Sequence, residues 1–197
     1  LRRQRQMCIR DRILSSRGFD LVVVSRQNTR FLKSFIESMP SSIEVAKDLD
    51  EAIRKCRIVF SATSAGNIID PDKLLPGTVV FDIAQPKDVI YKAGCRQDVL
   101  IIDAGLISLP KSTTDRYYYS GLGVNDIPSC LGETMTLTLE ERWEQFSMGR
   151  ELLTEKVFEI GRLSTAHGFI FDSFRSFQKP IRAENIERTG MAMQQAI

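Results

Sequence analysis

The sequence predicts an α/β fold. Three observations carry that reading. Short β-branched runs such as Leu21–Ser25 (LVVVS) and Arg57–Thr63 (RIVFSAT) recur along the first half of the chain. Segments with helical apolar spacing lie between them. The runs read as continuous apolar stretches, the pattern of strands covered on both faces of a parallel sheet. Strand and helix alternating at this spacing predict βαβ units.

The elements follow in order. Ile13–Arg17 reads as the tail of a helix stopped by Gly18. Leu21–Ser25 is the first strand. Asn28–Ser38 has apolar residues at 31, 32, 35 and 36, a helical stripe ending before Pro40. Ile43–Ala46 is a short strand. Asp48–Cys56 is a helix capped by Asp48 or Asp50. Arg57–Thr63 is the next strand. Asp70–Leu75 is a helical turn with Pro71 at its first position. Thr78–Ile83 and Val99–Asp103 complete a parallel sheet of about five strands over residues 20–104. Residues 106–128 read as loop. Cys130–Phe146 reads as a helix with Leu131, Met135, Leu139 and Trp143 on its inward face. Glu151–Ala166 is a second, with Leu153, Val157 and Ile160 inward, ended by His167-Gly168.

Composition narrows the function classes. The chain of 197 residues is 43% apolar and 26% charged, which excludes disordered, collagenous and coiled-coil proteins. The longest apolar runs, Leu21–Val24 and Val99–Ile102, are far short of the roughly 20 residues a membrane helix needs. No signal peptide is legible, and no stable membrane insertion is expected. The four cysteines have no paired spacing, which points to a reducing, cytoplasmic compartment and no metal site. A single histidine argues against a His-based triad.

The net charge of +2 hides an asymmetry. Residues 1–12, LRRQRQMCIRDR, hold five arginines and one aspartate; the rest has 22 basic against 24 acidic residues. Such an arm is either a contact for an anionic surface or a translated sequencing remnant. The string matches adapter read-through, so it is set aside, and no nucleic-acid partner is expected. The chain then divides into 1–12 (remnant), 13–105 (a partial nucleotide-binding domain), 106–169 (active-site loop and C-terminal helices) and 170–197 (an unassigned tail).

Doubly wound sheets bind ligands at the carboxyl ends of their strands. The expected fold is therefore Rossmann-like, a doubly wound parallel sheet lacking its first strand, followed by a C-terminal helical segment. No GxGxxG opens it; Gly121–Asp126 (GLGVND) follows a tyrosine run and reads as loop. After the first legible strand stand Ser25, Arg26 and, further on, Arg30, with no acid. Arginine at this place accommodates the 2′-phosphate of NADP; the alternative is two solvated arginines at a helix start. Ser61–Gly66 ends another strand in small residues. Ser64 and Ala65 there let a flat nicotinamide approach the backbone, or form an ordinary turn.

Cys130 follows Pro128-Ser129 at the start of a helix, where the dipole favours thiolate. It suits covalent acyl transfer, or it is packing. Glu133, one turn on, is a proton carrier or a cap. Cys56 and Cys95 carry no role.

Cys130–Arg150 (CLGETMTLTLEERWEQFSMGR) resembles the long-chain acyl-acyl-carrier-protein reductases of cyanobacteria, through Cys130, Glu133, Met135, Phe146, Ser147, Gly149 and Arg150. Met148 stands where that family has an aromatic residue. Glu155-Lys156, Ile160-Gly161 and His167–Phe169 extend the likeness. Upstream, Ser25–Arg30, Ile69–Pro71 and Pro86-Lys87 fall in the family's order. The resemblance covers about residues 13–169. It implies NADPH-dependent reduction of a fatty acyl thioester to an aldehyde, with Cys130 acylated and acyl carrier protein or acyl-coenzyme A delivering the substrate. A second reading is an amino-acid or shikimate dehydrogenase relative without covalent chemistry, with Lys87 the one good strand-end acid/base. A non-enzymatic scaffold is a third.

Overall fold

The structure, a computed structural model, describes residues 10–25, 30–37, 39, 43–92, 96–113, 122–144, 146, 153–171 and 173–195. Its elements run α1 (10–16), β1 (Leu21–Val23), α2 (Arg30–Glu37), β2 (Ile43–Val45), α3 (Leu49–Lys55), β3 (Ile58–Ser61), a 3-10 turn (Pro71–Lys73), β4 (Val79–Asp82), β5 (Leu100–Asp103), β6 (Leu106–Ser108), β7 (Asp126–Pro128), α4 (Ser129–Leu139), α5 (Thr154–Ala166), β8 (Arg175–Ser176), β9 (Lys179–Pro180) and α6 (Ala183–Gln195). They fall into two compact units: Leu1–Ile101 with Arg182–Ile197, and Ile102–Ile181.

The first unit is mixed α/β with parallel pairing. β1 lies parallel to β2, Leu21 opposite Ile43 and Val23 opposite Val45. β3 lies parallel to β4, Ile58 opposite Val79 and Ser61 opposite Asp82, and the sheet order is β3-β4-β5. The expected single sheet of about five strands is thus corrected to two hydrogen-bonded sets, of two and three strands. Among the described residues no strand bonds to both β1 and β3, so the sets stay separate.

Local sequence explains the elements between the strands. At α3 the Asp48 carboxylate accepts from Glu51 N–H at 2.8 Å, and the Glu51 carboxylate accepts from Lys47 N–H at 2.8 Å. The Asp48 bond satisfies one N–H that the first turn leaves without a helical partner, and Glu51 reaches back past the cap to the N–H of the residue before it. Asp70 accepts from Asp72 N–H at 3.0 Å and starts the 3-10 turn, with Pro71 at its first position. The core runs through Val80, Val99, Leu100 and Ile101. Gly77 has φ +79°, and a Cβ there would collide with the backbone of Met193. Glycine therefore lets α6 come down on this unit, and Arg188 donates to Gln97. The unassigned tail is thus partly a helix of the first unit.

The end of the basic start is described: residues 10–12 are helical, continuous with 13–16 in α1, and they pack. The Arg10 guanidinium lies 4.4 Å from the Phe60 ring centroid, and Asp11 is buried. A delocalised cation over a ring face is attracted by the ring quadrupole. Residues 1–9 lie outside the described residues.

In the second unit, the stretch expected to be loop contains an antiparallel pair. β6 and β7 set Ile107 opposite Ile127 and Ser108 opposite Asp126. Leu109, Ile127 and Phe169 form the core there, with Ile107 and Leu131 packed on it. The face of α4 is corrected in part: Leu131 packs inward as expected, but the rest of the stripe does not follow it. The buried residues of α4 are Gly132 and Thr136, whereas Leu139 and Trp143 are 58% and 80% exposed. A Cβ at Gly132 would collide with Ile107 Cδ1, so the small-residue face is the one that fits. Thr136 Oγ1 sits 2.9 Å from Ser164 Oγ of α5. The helix stops at Leu139, before Glu141 with φ +53°. On α5, Val157 and Ile160 are half-buried, while Leu153 is exposed and only caps the helix.

Candidate functional site

The carboxyl ends of β3 and β4 carry a closed polar network. Asp88 is fully buried. One carboxylate oxygen accepts from Ser61 Oγ at 2.5 Å and Thr63 N–H at 2.9 Å. The other accepts from Thr63 Oγ1 at 2.6 Å and Gly66 N–H at 3.2 Å. Asp88 C=O accepts from Ile68 and Ile69 N–H at 2.7 and 2.9 Å. A buried carboxylate is stable only when donors replace its lost water. Here the donors run from the last residue of β3 through the loop that follows it, so the carboxylate fixes that loop's path.

Asp82, at the end of β4, is 1% exposed and accepts from Ala84 and Val89 N–H at 3.0 Å each. Burial pushes its pKa up, and these two N–H groups pull against that rise. Lys87 Nζ donates to Asp82 C=O at 2.8 Å. Gly66 has φ +67°, and a Cβ there would lie 2.8 Å from Pro86 Cγ. A glycine is needed on both counts. Ser64 is exposed and Ala65 half-exposed, on the outer side of this pinned loop.

The sequence-derived site residues are distributed as follows. Ser64 and Ala65 sit together on the strand-end loop. Ser25 is exposed just past β1. Arg26 lies outside the described residues, and Arg30 opens α2. Cys130 is exposed in the first turn of α4, whose start has no side-chain cap. Glu133 is half-buried on the same helix. Cys56 is half-buried, and burial pushes its thiol pKa up; Cys95 lies outside the described residues. His167 ends α5 and holds Glu140 at 2.6 Å. Asp82 and Asp88 were missed by sequence reading. The available signal was two acids close behind a β-branched run, in the strand-end segment FDIAQPKDVI.

Two cavities accompany the second unit. One of about 430 Å³ runs along α5 beside Val157, Phe158, Gly161, Arg162 and Thr165. The other, about 140 Å³, is lined by Leu109, Ile127, Leu131 and Met135. Among the described residues no group of three or more His, Cys, Asp or Glu is placed to hold a metal ion. No described helix is long and apolar enough to cross a membrane.

No family model matches the chain. It is similar to a protein of Serratia sp. named Aminotransferase PigE, 33% identical over 185 residues, 89% of this chain. The chain spans about a fifth of that relative's length, 21%. This likeness corrects the reading built on the cyanobacterial reductases. The relative's name describes amino-group transfer, so acyl-thioester reduction to an aldehyde, and NADPH as its reductant, are set aside. The dehydrogenase alternative gains no support from it either.

Proposed function

We propose that the chain is a doubly wound α/β domain within a larger enzyme of the aminotransferase kind, contributing a substrate-binding platform at loop 61–66. The strand pairing supports the fold. In the order 3-2-1-4-5-6, strands 2 and 3 pair on one side of strand 1, and 4, 5 and 6 on the other. The observed pairs, β2-β1 and β3-β4-β5, are the two flanks of that order. The likeness to a much longer protein named an aminotransferase, of which the chain spans 21%, supports the rest.

Amino-group transfer of that kind runs on pyridoxal phosphate, which requires a Schiff-base lysine and a partner for the ring nitrogen. The described residues do not fit it. Lys87, the strand-end lysine, has its ammonium on Asp82 C=O. Asp82 and Asp88 are occupied by the chain's own N–H and O–H groups. Neither cavity has a lysine in its lining. The cofactor therefore belongs to another part of the larger enzyme in this reading.

The observation that carries the platform is the Asp88 latch, which holds Ser64 and Ala65 at the strand ends, where doubly wound sheets bind ligands. Preorganisation of this kind removes ordering cost from binding. The test is Ser64→Tyr in the longer enzyme, a bulky change on an exposed residue. The expected result is a KM for one substrate raised at least about 10-fold, roughly 1.4 kcal/mol, with pyridoxal absorbance intact. Unchanged kinetics, or loss of that absorbance, would overturn the reading.

A further inference from the structure

We infer that the outer face of α5 pairs with the same face of a second copy of the chain, antiparallel, about a two-fold axis. The inference draws on the second unit alone and is independent of the aminotransferase reading.

The two sides of α5 differ. Toward α4, Lys156 pairs with Glu144 at 3.1 Å, Glu159 with Arg142 at 3.0 Å, and Ser164 meets Thr136. Toward solvent stand Glu155, Phe158, Gly161, Arg162 and Thr165, all exposed. Steps of three and four residues put them on one stripe of the helix. No residue of this 13-residue helix is buried. Among the described residues neither Glu155 nor Arg162 has an ion-pair partner.

Gly161 carries the shape argument. Glycine is the poorest helix former after proline, and close packing within the chain is its usual reason. At Gly132 of α4 that reason holds, because a Cβ there would strike Ile107. A Cβ at Gly161 meets nothing within 4 Å, so packing within the chain does not require glycine there. One turn back, Phe158 is 50% exposed. A ring and a gap thus lie side by side on one open face, along a hollow of about 430 Å³ whose described walls all belong to α5.

Self-complementarity selects the occupant. A two-fold interface joins one patch to itself, so residue i meets j and j meets i. Laid antiparallel, α5 sets Phe158 of each copy over Gly161 of the other. The same flank of both helices then meets, and Glu155 of each copy comes beside Arg162 of the other. These two pairings differ by two residues in register, about 3 Å along the helix, which the long Glu and Arg side chains span. One operation therefore fills both gaps and pairs all four charges. A parallel two-fold pair would set Glu155 against Glu155 instead.

The 197-residue chain provides the test, by sedimentation equilibrium. One helix face is smaller than a standard interface, so a weak dimer is expected, forming between about 5 and 300 μM. Gly161→Leu fills the gap and should weaken it at least about 10-fold. Glu155→Arg and Arg162→Glu each set like charges together, and should also weaken it at least about 10-fold. Circular dichroism should match the parent, since all three sites are exposed; if Gly161→Leu loses helix, the charge variants decide alone. Mixed in equal amounts, the Glu155→Arg and Arg162→Glu chains carry opposite signs at both contacts, and should form a heterodimer about as tight as the parent dimer. A dimer that the charge variants leave unchanged, or a mixture that does not associate, would overturn the pairing. A parent monomeric throughout would overturn it too, and would leave this face to another segment of the longer enzyme.

Discussion

Loop 61–66 and the first turn of α4 are built in opposite ways. The loop turns its polar groups inward: Ser61, Thr63 and Gly66 all donate to the buried Asp88. The α4 turn leaves Ser129 and Cys130 exposed, and no side chain caps it. Its fixed point lies one turn further on, where Gly132 and Thr136 fit against the unit's interior. One region is held by hydrogen bonds from a distant carboxylate, the other by shape. A polar latch fails when one atom is removed; a steric fit fails when one is added.

The largest effect should come from Asp88→Ala. It strands several inward-facing donors, each costing about 1–3 kcal/mol when left unpaired. Urea unfolding should show a loss of about 3–5 kcal/mol, since partial rehydration offsets some of the sum. A loss under about 1 kcal/mol would show that the loop holds its path without the latch.

Gly132→Ala tests the steric side. Helix propensity favours alanine by about 1 kcal/mol, whereas overpacking against Ile107 costs about 1–3 kcal/mol. A net loss of about 1 kcal/mol is expected. Ile107→Val removes the colliding Cδ1, so the double variant should recover most of the loss beyond that of Ile107→Val alone. Strict additivity of the two changes would break the steric account.

Asp82 gives a pH signature. Its folded pKa is raised by burial above the ordinary carboxylate value of about 3.9. The folded state therefore binds the proton more tightly, and stability falls as pH rises from that ordinary value through the raised one. Asp82→Asn should remove this fall, which unfolding free energies followed upward from about pH 4 would reveal. A parallel pH profile for the variant would mean that burial does not perturb this carboxyl. The smallest effect is expected for Trp143→Ser, within about 0.5 kcal/mol, as for other exposed sites. A larger loss would restore the inward face that the apolar spacing of α4 suggested.

Legibility tracked the range of the interactions. α3 was readable because its Asp48 cap and the Glu51 bond behind it span residues 47–51, all local. β3 and β4 were readable because β-branched runs declare themselves, and only their ends moved inward by one or two residues. The latch was not readable as such: Asp88 reaches donors 22 to 27 positions away. α4 misled toward its end, where Leu139 and Trp143 continue the apolar spacing that Leu131 begins but stand exposed. Size settled which side is inside, through glycine and threonine. β6 and β7 read as loop in sequence because each is three residues long, below what alternation can signal. Ser64 and Ala65 landed together on the strand-end loop because small residues after a buried strand are a local pattern. The reductase resemblance reached further than the residues supported.

The return of α6 to the first unit has a consequence in time. The second unit is one unbroken stretch, Ile102–Ile181, while the first needs Arg182–Ile197 to complete it. On the ribosome, at about 5–20 residues per second, the later stretch can close before the earlier one has all its parts. Met193 reaches Gly77 only after 115 intervening residues have been made. The order of synthesis and the order of completion are therefore reversed for the two units. A nascent chain arrested before α6 has emerged should show the second unit resistant to protease, with residues 10–101 still open to cleavage.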